Sequence, residues 1–197
     1  VLTYLALEKK AVQYVPTAPD RDSFDVINHF DEEKNDSQIR NILVESARLG
    51  KGKIIPLERV DVEDFDGLIV IGGMGVYKNL TNFVDKRDDF TVYNDVDIVI
   101  KSFYEAKKPI GTMCAGVILI AKSISETCHD LTVGMVGRTF NDLFEQLGVN
   151  VIQIQANEAH TDHKNKIVNT PAFLGTHKLE EILEGLDAMV ASMELLS

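Results

Sequence analysis

Residues 110–117 are Ile-Gly-Thr-Met-Cys-Ala-Gly-Val, and they predict a strand that runs directly into a helix with Cys114 at the junction. A nucleophile at such a turn is presented at the end of a sheet, the geometry called a nucleophile elbow. Free N–H groups and the positive dipole end at the start of a helix stabilise a thiolate there. Ala115 and Gly116 are small enough for a tight turn. Cysteine is also frequently buried and inert, so this pattern alone leaves reactive nucleophile and buried side chain as equal alternatives.

Short apolar runs alternate with helix-length amphipathic stretches on both sides of this segment. The run Leu68-Ile69-Val70-Ile71 is continuously apolar, which is typical of a strand buried on both faces. The alternation predicts an α/β fold with a mostly parallel sheet, helices on both faces and ligands beyond the carboxyl ends of the strands. The predicted strands are 11–15, 54–57, 68–71, 109–113, 131–134, 150–155 and 166–169. The predicted helices are 1–7, 37–49, 94–107, 115–126, 139–147 and 176–195. The polar segment 17–36 is predicted to be a solvated loop. The loop at 73–93 is long, and long ordered loops in compact domains are often functional.

The composition is that of a globular protein with one domain. Of 197 residues, 45% are hydrophobic and 26% are charged, and a chain of this length buries one substantial core. The formal net charge of −11 disfavours nucleic acid and anionic membranes as partners, because an acidic surface repels phosphate. No apolar run approaches the roughly 20 residues that span a bilayer. Two cysteines are too few for a disulfide scaffold, and no Cys/His group has the spacing of a zinc site.

The stretch Gly72-Gly73-Met74-Gly75 follows the predicted strand 68–71, and its backbone N–H groups are candidates for binding an oxyanion. A phosphate-binding loop is excluded, because no Lys-Ser or Lys-Thr pair follows and the glycines lack dinucleotide-binding spacing. The alternative is a plain turn that ends the strand. Two adjacent glycines at this position favour the oxyanion function slightly.

Residues 157–163, Asn-Glu-Ala-His-Thr-Asp-His, carry His160, the candidate general base for Cys114. The stretch is wholly polar and leads into further polar residues, so the local sequence favours a solvated loop over a catalytic role. Cys128 follows a predicted helix end and is expected to pack in the core rather than to form a disulfide with Cys114.

Seven blocks, in order along nearly the whole chain, carry a family resemblance. They are residues 25–29, 40–48, 66–73, 78–83, 108–111, 113–114 and 165–172. Together they resemble the ES1/ElbB family, also called sigma cross-reacting protein 27A-like or enhancing lycopene biosynthesis protein. The blocks Asn-Leu-Thr-Asn-Phe at 79–83 and Asn-Lys-Ile-Val at 165–168 point to this branch of the DJ-1/PfpI superfamily rather than to the superfamily at large.

The resemblance implies a flavodoxin-like three-layer sandwich, shared with class I glutamine amidotransferases, as a single DJ-1/PfpI-like domain over 1–197. It implies that Cys114 is the nucleophile, that Gly72, Gly73 and the Ala115 N–H bind the oxyanion, and that the protein is a homodimer. It also implies that the first strand and the acidic partner of the cysteine lie upstream of Val1. Ala115 stands where many superfamily members have His, which disfavours protease-type Cys-His chemistry.

The leading hypothesis from this resemblance is a glyoxalase III-like enzyme that converts small α-oxoaldehydes to hydroxy acids without a metal or organic cofactor. Family names also link the branch to isoprenoid biosynthesis. The alternatives are a non-catalytic redox or stress-responsive regulator that uses Cys114 and, last, a glutamine amidotransferase, whose His-x-Glu pair has no match near His177. The expected ligand is a small carbonyl metabolite. The expected location is the cytoplasm, or an organelle matrix if an upstream targeting segment exists.

Overall fold

Helices and strands alternate along the chain. The computed structural model describes residues 1–50 and 52–197, with the backbone alone at Asp88. The helices are α1 (Leu2–Lys9), α2 (Ile42–Leu49), α3 (Phe83–Lys86), α4 (Asn94–Glu105), α5 (Gly116–Ile124), α6 (Asn141–Gln146) and α7 (Leu179–Glu194). The strands are β1 (Thr17–Ala18), β2 (Ile27–Asn28), β3 (Glu33–Lys34), β4 (Ile55–Pro56), β5 (Leu68–Val70), β6 (Ile110–Met113), β7 (Thr132–Met135), β8 (Asn150–Gln153), β9 (His160–Asp162) and β10 (Ile167–Thr170). No helix in the described residues is both long and apolar enough to cross a membrane.

The main sheet has the strand order β5-β6-β10-β9. β5, β6 and β10 are parallel, and β9 runs antiparallel to β10 at the edge. Thr112 of β6 pairs with Val70 of β5 on one side and with Asn169 of β10 on the other. β1–β4 and β7–β8 form two further parallel pairs. The predicted mostly parallel sheet is therefore confirmed.

Two apolar cores lie on the two faces of this sheet. One contains Phe103 of α4 and Ile118 of α5, both essentially inaccessible to solvent. The other contains Leu186 and Met189 of α7, which also packs against α1. Each such side chain contributes about 2 kcal/mol when it leaves water. Helices on both faces give the predicted three-layer α/β architecture.

The apolar run 68–71 is less buried than its sequence predicts. Only Val70 is buried, and Ile71 is 49% exposed. The reason is that β5 pairs on one side only in the described residues, so it is an edge strand of the main sheet. The first strand expected upstream of Val1 stays a prediction.

The predicted strand at 11–15 is wrong. Ala11 has a left-handed backbone (φ +56°) that ends the turn after α1. The Tyr14 ring then stacks on Tyr4 with 4.9 Å between ring centroids, which holds this segment against the helix. Pairing with another strand begins only after Pro16, at the two-residue β1.

The second helix begins later than the predicted 37–49. The Asn35 side chain accepts a hydrogen bond from the Ser37 N–H at 3.1 Å, which stabilises a local turn instead of a helix. Asn41 is the N-cap, since its side-chain oxygen accepts from the Val44 N–H at 3.0 Å. The predicted helices 94–107, 115–126, 139–147 and 176–195 are each shorter by a few residues.

The long connections contain more regular structure than their polarity predicts. The segment 17–36 includes β1 and the antiparallel pair β2–β3. The segment 73–93 includes a π-helical turn, Val76–Leu80, and the single-turn α3. The solvated loop favoured for 157–163 is wrong at 160–162, because β9 pairs there with β10.

β7 lies beside the main sheet but is attached to it by side chains. The Asn169 amide donates to the Gly134 carbonyl and accepts from the Gly134 N–H, both at 2.7 Å. The Asp162 carboxylate accepts from the Thr132 N–H at 2.9 Å. Asn169 and Asp162 are buried, so their polar groups replace backbone partners that a neighbouring strand would otherwise provide.

Candidate active site

Cys114 occupies the turn between β6 and α5 in a left-handed backbone conformation, with φ +53°. A non-glycine residue in this region is uncommon and is found disproportionately at functional sites. Its N–H donates to the Thr170 carbonyl of β10 at 3.1 Å, and its carbonyl accepts from the Val117 N–H at 3.3 Å. The thiol is free and partly exposed. The predicted strand–cysteine–helix geometry is therefore present, at the carboxyl end of a central strand.

The two residues after Cys114 fit only because they are small. Ala115 is 1% exposed. A Cβ atom on Gly116 would lie 2.8 Å from the Val70 carbonyl oxygen and 2.7 Å from the Thr112 hydroxyl. The first turn of α5 thus packs directly on β5 and β6, which positions the start of the helix under the thiol.

The loop after β5 packs directly against the elbow. A Cβ atom on Gly72 would lie 2.7 Å from the Cys114 Cβ and 2.8 Å from the Ala115 nitrogen. Gly73 has φ +108°, a conformation that favours glycine, and open space at its Cβ position. In the described part of the chain, the N–H groups of Gly72, Gly73 and Ala115 donate to no backbone carbonyl. These donors are consistent with an oxyanion site, and that role stays a prediction.

Tyr77 is a titratable residue electrostatically coupled to Cys114 that the sequence patterns did not single out. It lies on the π-helical turn Val76–Leu80, shortly after the glycine loop. Burial and the neighbouring Cys114 thiol raise the pKa of Tyr77 to about 12, so its phenol is protonated at neutral pH. A single π-helical turn has no recognisable periodicity in the sequence. The only feature of the sequence that could have pointed to Tyr77 is its position shortly after Gly72 and Gly73.

His160 points away from Cys114. His160 lies on β9 and pairs with Asn169 of the neighbouring strand β10. Asn169 in turn pairs with Thr112 of β6. Two strand spacings, about 10 Å, therefore separate His160 from β6. Its Nε2 lies 2.8 Å from the Thr132 hydroxyl of β7. The structure therefore does not bring His160 to the thiol, and a role as general base has no contact to support it.

The environment of His160 predicts a pH-dependent contribution to stability. Burial lowers the pKa of His160, and this outweighs the opposing effect of the Asp162 charge. Because the unfolded pKa is about 6.5, protons bind preferentially to the unfolded chain as the pH falls below that value, and stability is lost there. Urea unfolding at pH 7.5 and 5.5 should show a larger loss in the unaltered protein than in His160→Gln. The exposed His177→Gln should keep the full loss, and equal losses in all three proteins would contradict the assignment.

Comparison with known proteins places these features in a family. No family model matches the chain. An ES1 protein homolog, mitochondrial, from Rattus norvegicus is 37% identical over 181 residues, which are 88% of this chain and 67% of that protein. A human protein named glutamine amidotransferase-like class 1 domain-containing protein 3, mitochondrial, is 35% identical over the same shares of both chains. The chain belongs to the ES1 family.

Solved structures of other proteins share this fold. An isoprenoid biosynthesis protein with an amidotransferase-like domain, from Ehrlichia chaffeensis, is 29% identical and superposes with a TM-score of 0.89, covering 99% of this chain and 88% of its own. A ThiJ/PfpI domain protein from Brachyspira murdochii has a TM-score of 0.60 at 14% identity. Drosophila melanogaster DJ-1beta has a TM-score of 0.52 at 10% identity. These last two show the shared fold alone.

Potential metal ligands and surface cavities are the other features of the described chain that could bind a ligand. Within residues 1–50 and 52–197, no three His, Cys, Asp or Glu side chains cluster as metal ligands. A cavity of about 420 Å³ lies between the β2–β3 hairpin and Arg40, and another of about 210 Å³ lies between Phe83 and Phe140. Neither of these two cavities is lined by Cys114. Cys128 is buried, as expected.

Proposed function

We propose that this ES1-family protein converts small α-oxoaldehydes to α-hydroxy acids through the Cys114 thiolate, as glyoxalase III enzymes do. The observation that carries the proposal is the left-handed Cys114 at the start of α5, with Gly72 packed against it. Such a thiol is accessible to solvent, and the N–H groups of the glycine loop and of Ala115 would bind the oxyanion that forms on its substrate. The partly exposed thiol is accessible to a small carbonyl compound from solvent.

The proposed reaction needs no external oxidant or reductant. The Cys114 sulfur forms a bond to the aldehyde carbon, and the π electrons of the carbonyl move to its oxygen, which the N–H groups of Gly73 and Ala115 would stabilise. The hydrogen on that carbon then moves to the adjacent ketone carbon through an enediol. Water cleaves the resulting thioester and releases the hydroxy acid and the thiolate. One carbon is oxidised while its neighbour is reduced, which is consistent with the expected absence of a cofactor.

The test is lactate formation from methylglyoxal in the absence of glutathione. The unaltered protein should form lactate, and Cys114→Ala should lose at least about a thousandfold in kcat, since a covalent nucleophile has no substitute. Cys128→Ala is the matched control, because that thiol is buried away from the elbow and activity should persist. Equal activity in the unaltered protein and in Cys114→Ala would sink the proposal.

A second candidate function is a redox-responsive regulator that uses the same thiol. It is favoured by the free, partly exposed Cys114, since the buried Cys128 cannot readily resolve a sulfenic acid formed there. Selective sulfinate formation at Cys114 under low peroxide, together with no lactate formation, would support this function over the enzyme. A glutamine amidotransferase ranks last, since its His-x-Glu pair has no match near His177 and the His160 ring contacts Thr132.

We further propose that the protein is a homodimer. α2 is amphipathic, yet none of its residues is buried in the single chain. Ile39, Val44 and Leu49 are 79%, 63% and 61% exposed, a set of apolar side chains that a second copy would cover. An organelle-matrix location is a proposal suggested by the mitochondrial names of the relatives, and a cytoplasmic location stays a prediction from the sequence. A link to isoprenoid biosynthesis is a proposal suggested by the name of the Ehrlichia chaffeensis protein.

A further inference from the structure

The glycine loop after β5 continues directly into the π-helical turn Val76–Leu80. At its start, Gly72 packs on Cys114. At its end, the Val76 N–H donates to the Gly73 carbonyl at 3.1 Å, which ties the turn to the loop. A movement of the turn would therefore also move Gly73, one of the candidate oxyanion donors. The contacts that hold the turn in place consequently matter for the site.

An ion pair joins this turn to residues 21–25, here called the anchor segment. The Lys78 ammonium donates to the Asp25 carboxylate at 2.6 Å, and the two side chains are only 23% and 13% exposed. Among the described residues this is the most buried ion pair. Charges that are largely out of water must stay paired, because an unpaired charge bears the full cost of desolvation. The pair therefore restricts Lys78, and with it the turn, to one position.

Two further hydrogen bonds connect the anchor segment to Asn79, the next residue of the turn. The Phe24 N–H donates to the Asn79 side-chain oxygen at 2.8 Å. The Arg21 guanidinium donates to the Asn79 carbonyl at 2.8 Å and to the Asp95 carboxylate at 2.7 Å. The same guanidinium lies 4.7 Å from the centre of the Tyr93 ring. Arg21 thus links the turn to the start of α4 as well.

The anchor segment is itself fixed by backbone hydrogen bonds on its other side. The Ser23 N–H donates to the Arg40 carbonyl at 2.7 Å, and the Ile42 N–H donates to the Arg21 carbonyl at 2.8 Å. These bonds attach the segment to the first residue of α2 and to the chain just before it. A segment that was free to move could not hold the turn, and this one is tied to a helix.

We propose that Arg21 and Asp25 are positioning residues for the Cys114 site, which hold the π-helical turn and the glycine loop against the elbow. Neither residue touches the substrate. Their contacts fix the turn, and the Gly73 N–H then stays where the oxyanion would form. The hold on the loop concerns the free protein alone, and its effect on catalysis rests on the proposed function.

The decisive variant is Asp25→Asn, which keeps the shape of the side chain and removes its charge. Amide hydrogen exchange, followed by mass spectrometry, should become about five- to tenfold faster in the peptide 76–82, as expected for loss of a partly buried ion pair. Exchange in α7 should not change, because α7 packs on the other face of the sheet and reports global unfolding. Asp97→Asn is the matched control: it breaks the more exposed pair with Lys101, also at 2.6 Å, and should leave the turn unchanged.

Two more variants make the exchange measurement independent of one substitution. Arg21→Gln removes the other charged contact of the anchor segment and should also accelerate exchange in 76–82. Combining Asp25→Lys with Lys78→Asp reverses the ion pair and should return exchange towards the rate of the unaltered protein. Unchanged exchange in both Asp25→Asn and Arg21→Gln, or an equal acceleration in α7, overturns the inference.

Turnover of methylglyoxal provides the second measurement. Asp25→Asn should lower kcat by about ten- to a hundredfold with little change in KM, because misplaced oxyanion donors matter most when the oxyanion forms. Faster local exchange with an unchanged kcat overturns the positioning role. If the unaltered protein forms no lactate, the proposed function fails, and faster local exchange in the variants leaves the hold of the anchor segment on the loop standing.

Discussion

Gly72→Ala is expected to displace the elbow and to destabilise the protein by about 1–3 kcal/mol, the usual range for overpacking. The added Cβ would lie 2.5 Å from the Met113 carbonyl oxygen and 2.7 Å from the Cys114 Cβ. Both distances are far inside van der Waals contact. Neither obstacle is the free end of a flexible side chain, so the loop after β5 and the turn after β6 must separate. Urea unfolding measures the loss of stability, and iodoacetamide alkylation measures the displacement of the thiol.

The matched control for this substitution is Gly75→Ala in the same loop. Gly75 has ordinary helical dihedrals (φ −60°, ψ −29°), and its nearest neighbour would be the Asn79 amide nitrogen at 3.8 Å. Replacing such a glycine restricts the unfolded chain and should change stability by less than about 1 kcal/mol, in the stabilising direction. If Gly72→Ala and Gly75→Ala have the same stability and the same Cys114 alkylation rate, the close packing of Gly72 on the elbow is not what holds the thiol in place.

The elbow could be predicted from the sequence because its determinants are local. A short apolar strand, a cysteine and two small residues at the start of a helix all fall within residues 110–117. The alternation of strands and helices likewise predicted the parallel sheet, since it depends on periodicity along one segment at a time. Gly72 follows β5 and Cys114 follows β6. Because these two strands are adjacent and parallel, their ends bring Gly72 and Cys114 close together.

The remaining parts of the site depend on contacts between distant segments. The polarity of residues 157–163 favoured a solvated loop, but pairing with β10 makes a strand of 160–162 and directs His160 to Thr132. Tyr77 depends on a π-helical turn that Thr81 stabilises through its hydroxyl. Neither arrangement has a periodic signature, so a single sequence could not reveal that His160 faces Thr132 or that Tyr77 lies on a π-helical turn.

The attachment of β7 to the main sheet also depends on a contact between distant segments, the hydrogen bonds between Asn169 and Gly134. Removing these hydrogen bonds is expected to have a large effect on stability. Asn169→Leu should lower the free energy of unfolding by about 2–5 kcal/mol. The Asn169 side chain is 1% exposed and provides both hydrogen bonds of the Gly134 backbone at 2.7 Å. Leucine has a similar volume but leaves a buried N–H and a buried carbonyl without partners, at about 1–3 kcal/mol each. Urea unfolding should therefore show a much lower midpoint with little change in slope.

Two further asparagine variants separate lost hydrogen bonds from a general effect of substitution. Asn157 is exposed and donates to Glu184 at 2.8 Å, so Asn157→Leu should change stability by less than about 0.5 kcal/mol. Asn169→Asp keeps an acceptor for the Gly134 N–H but places a negative oxygen against the Gly134 carbonyl. Burial favours the protonated carboxyl, which again donates, so this variant should regain stability relative to the unaltered protein as the pH falls. Equal destabilisation by Asn169→Asp at pH 7 and pH 5, or a small effect of Asn169→Leu, would show that the Asn169 amide does not hold β7 on the sheet.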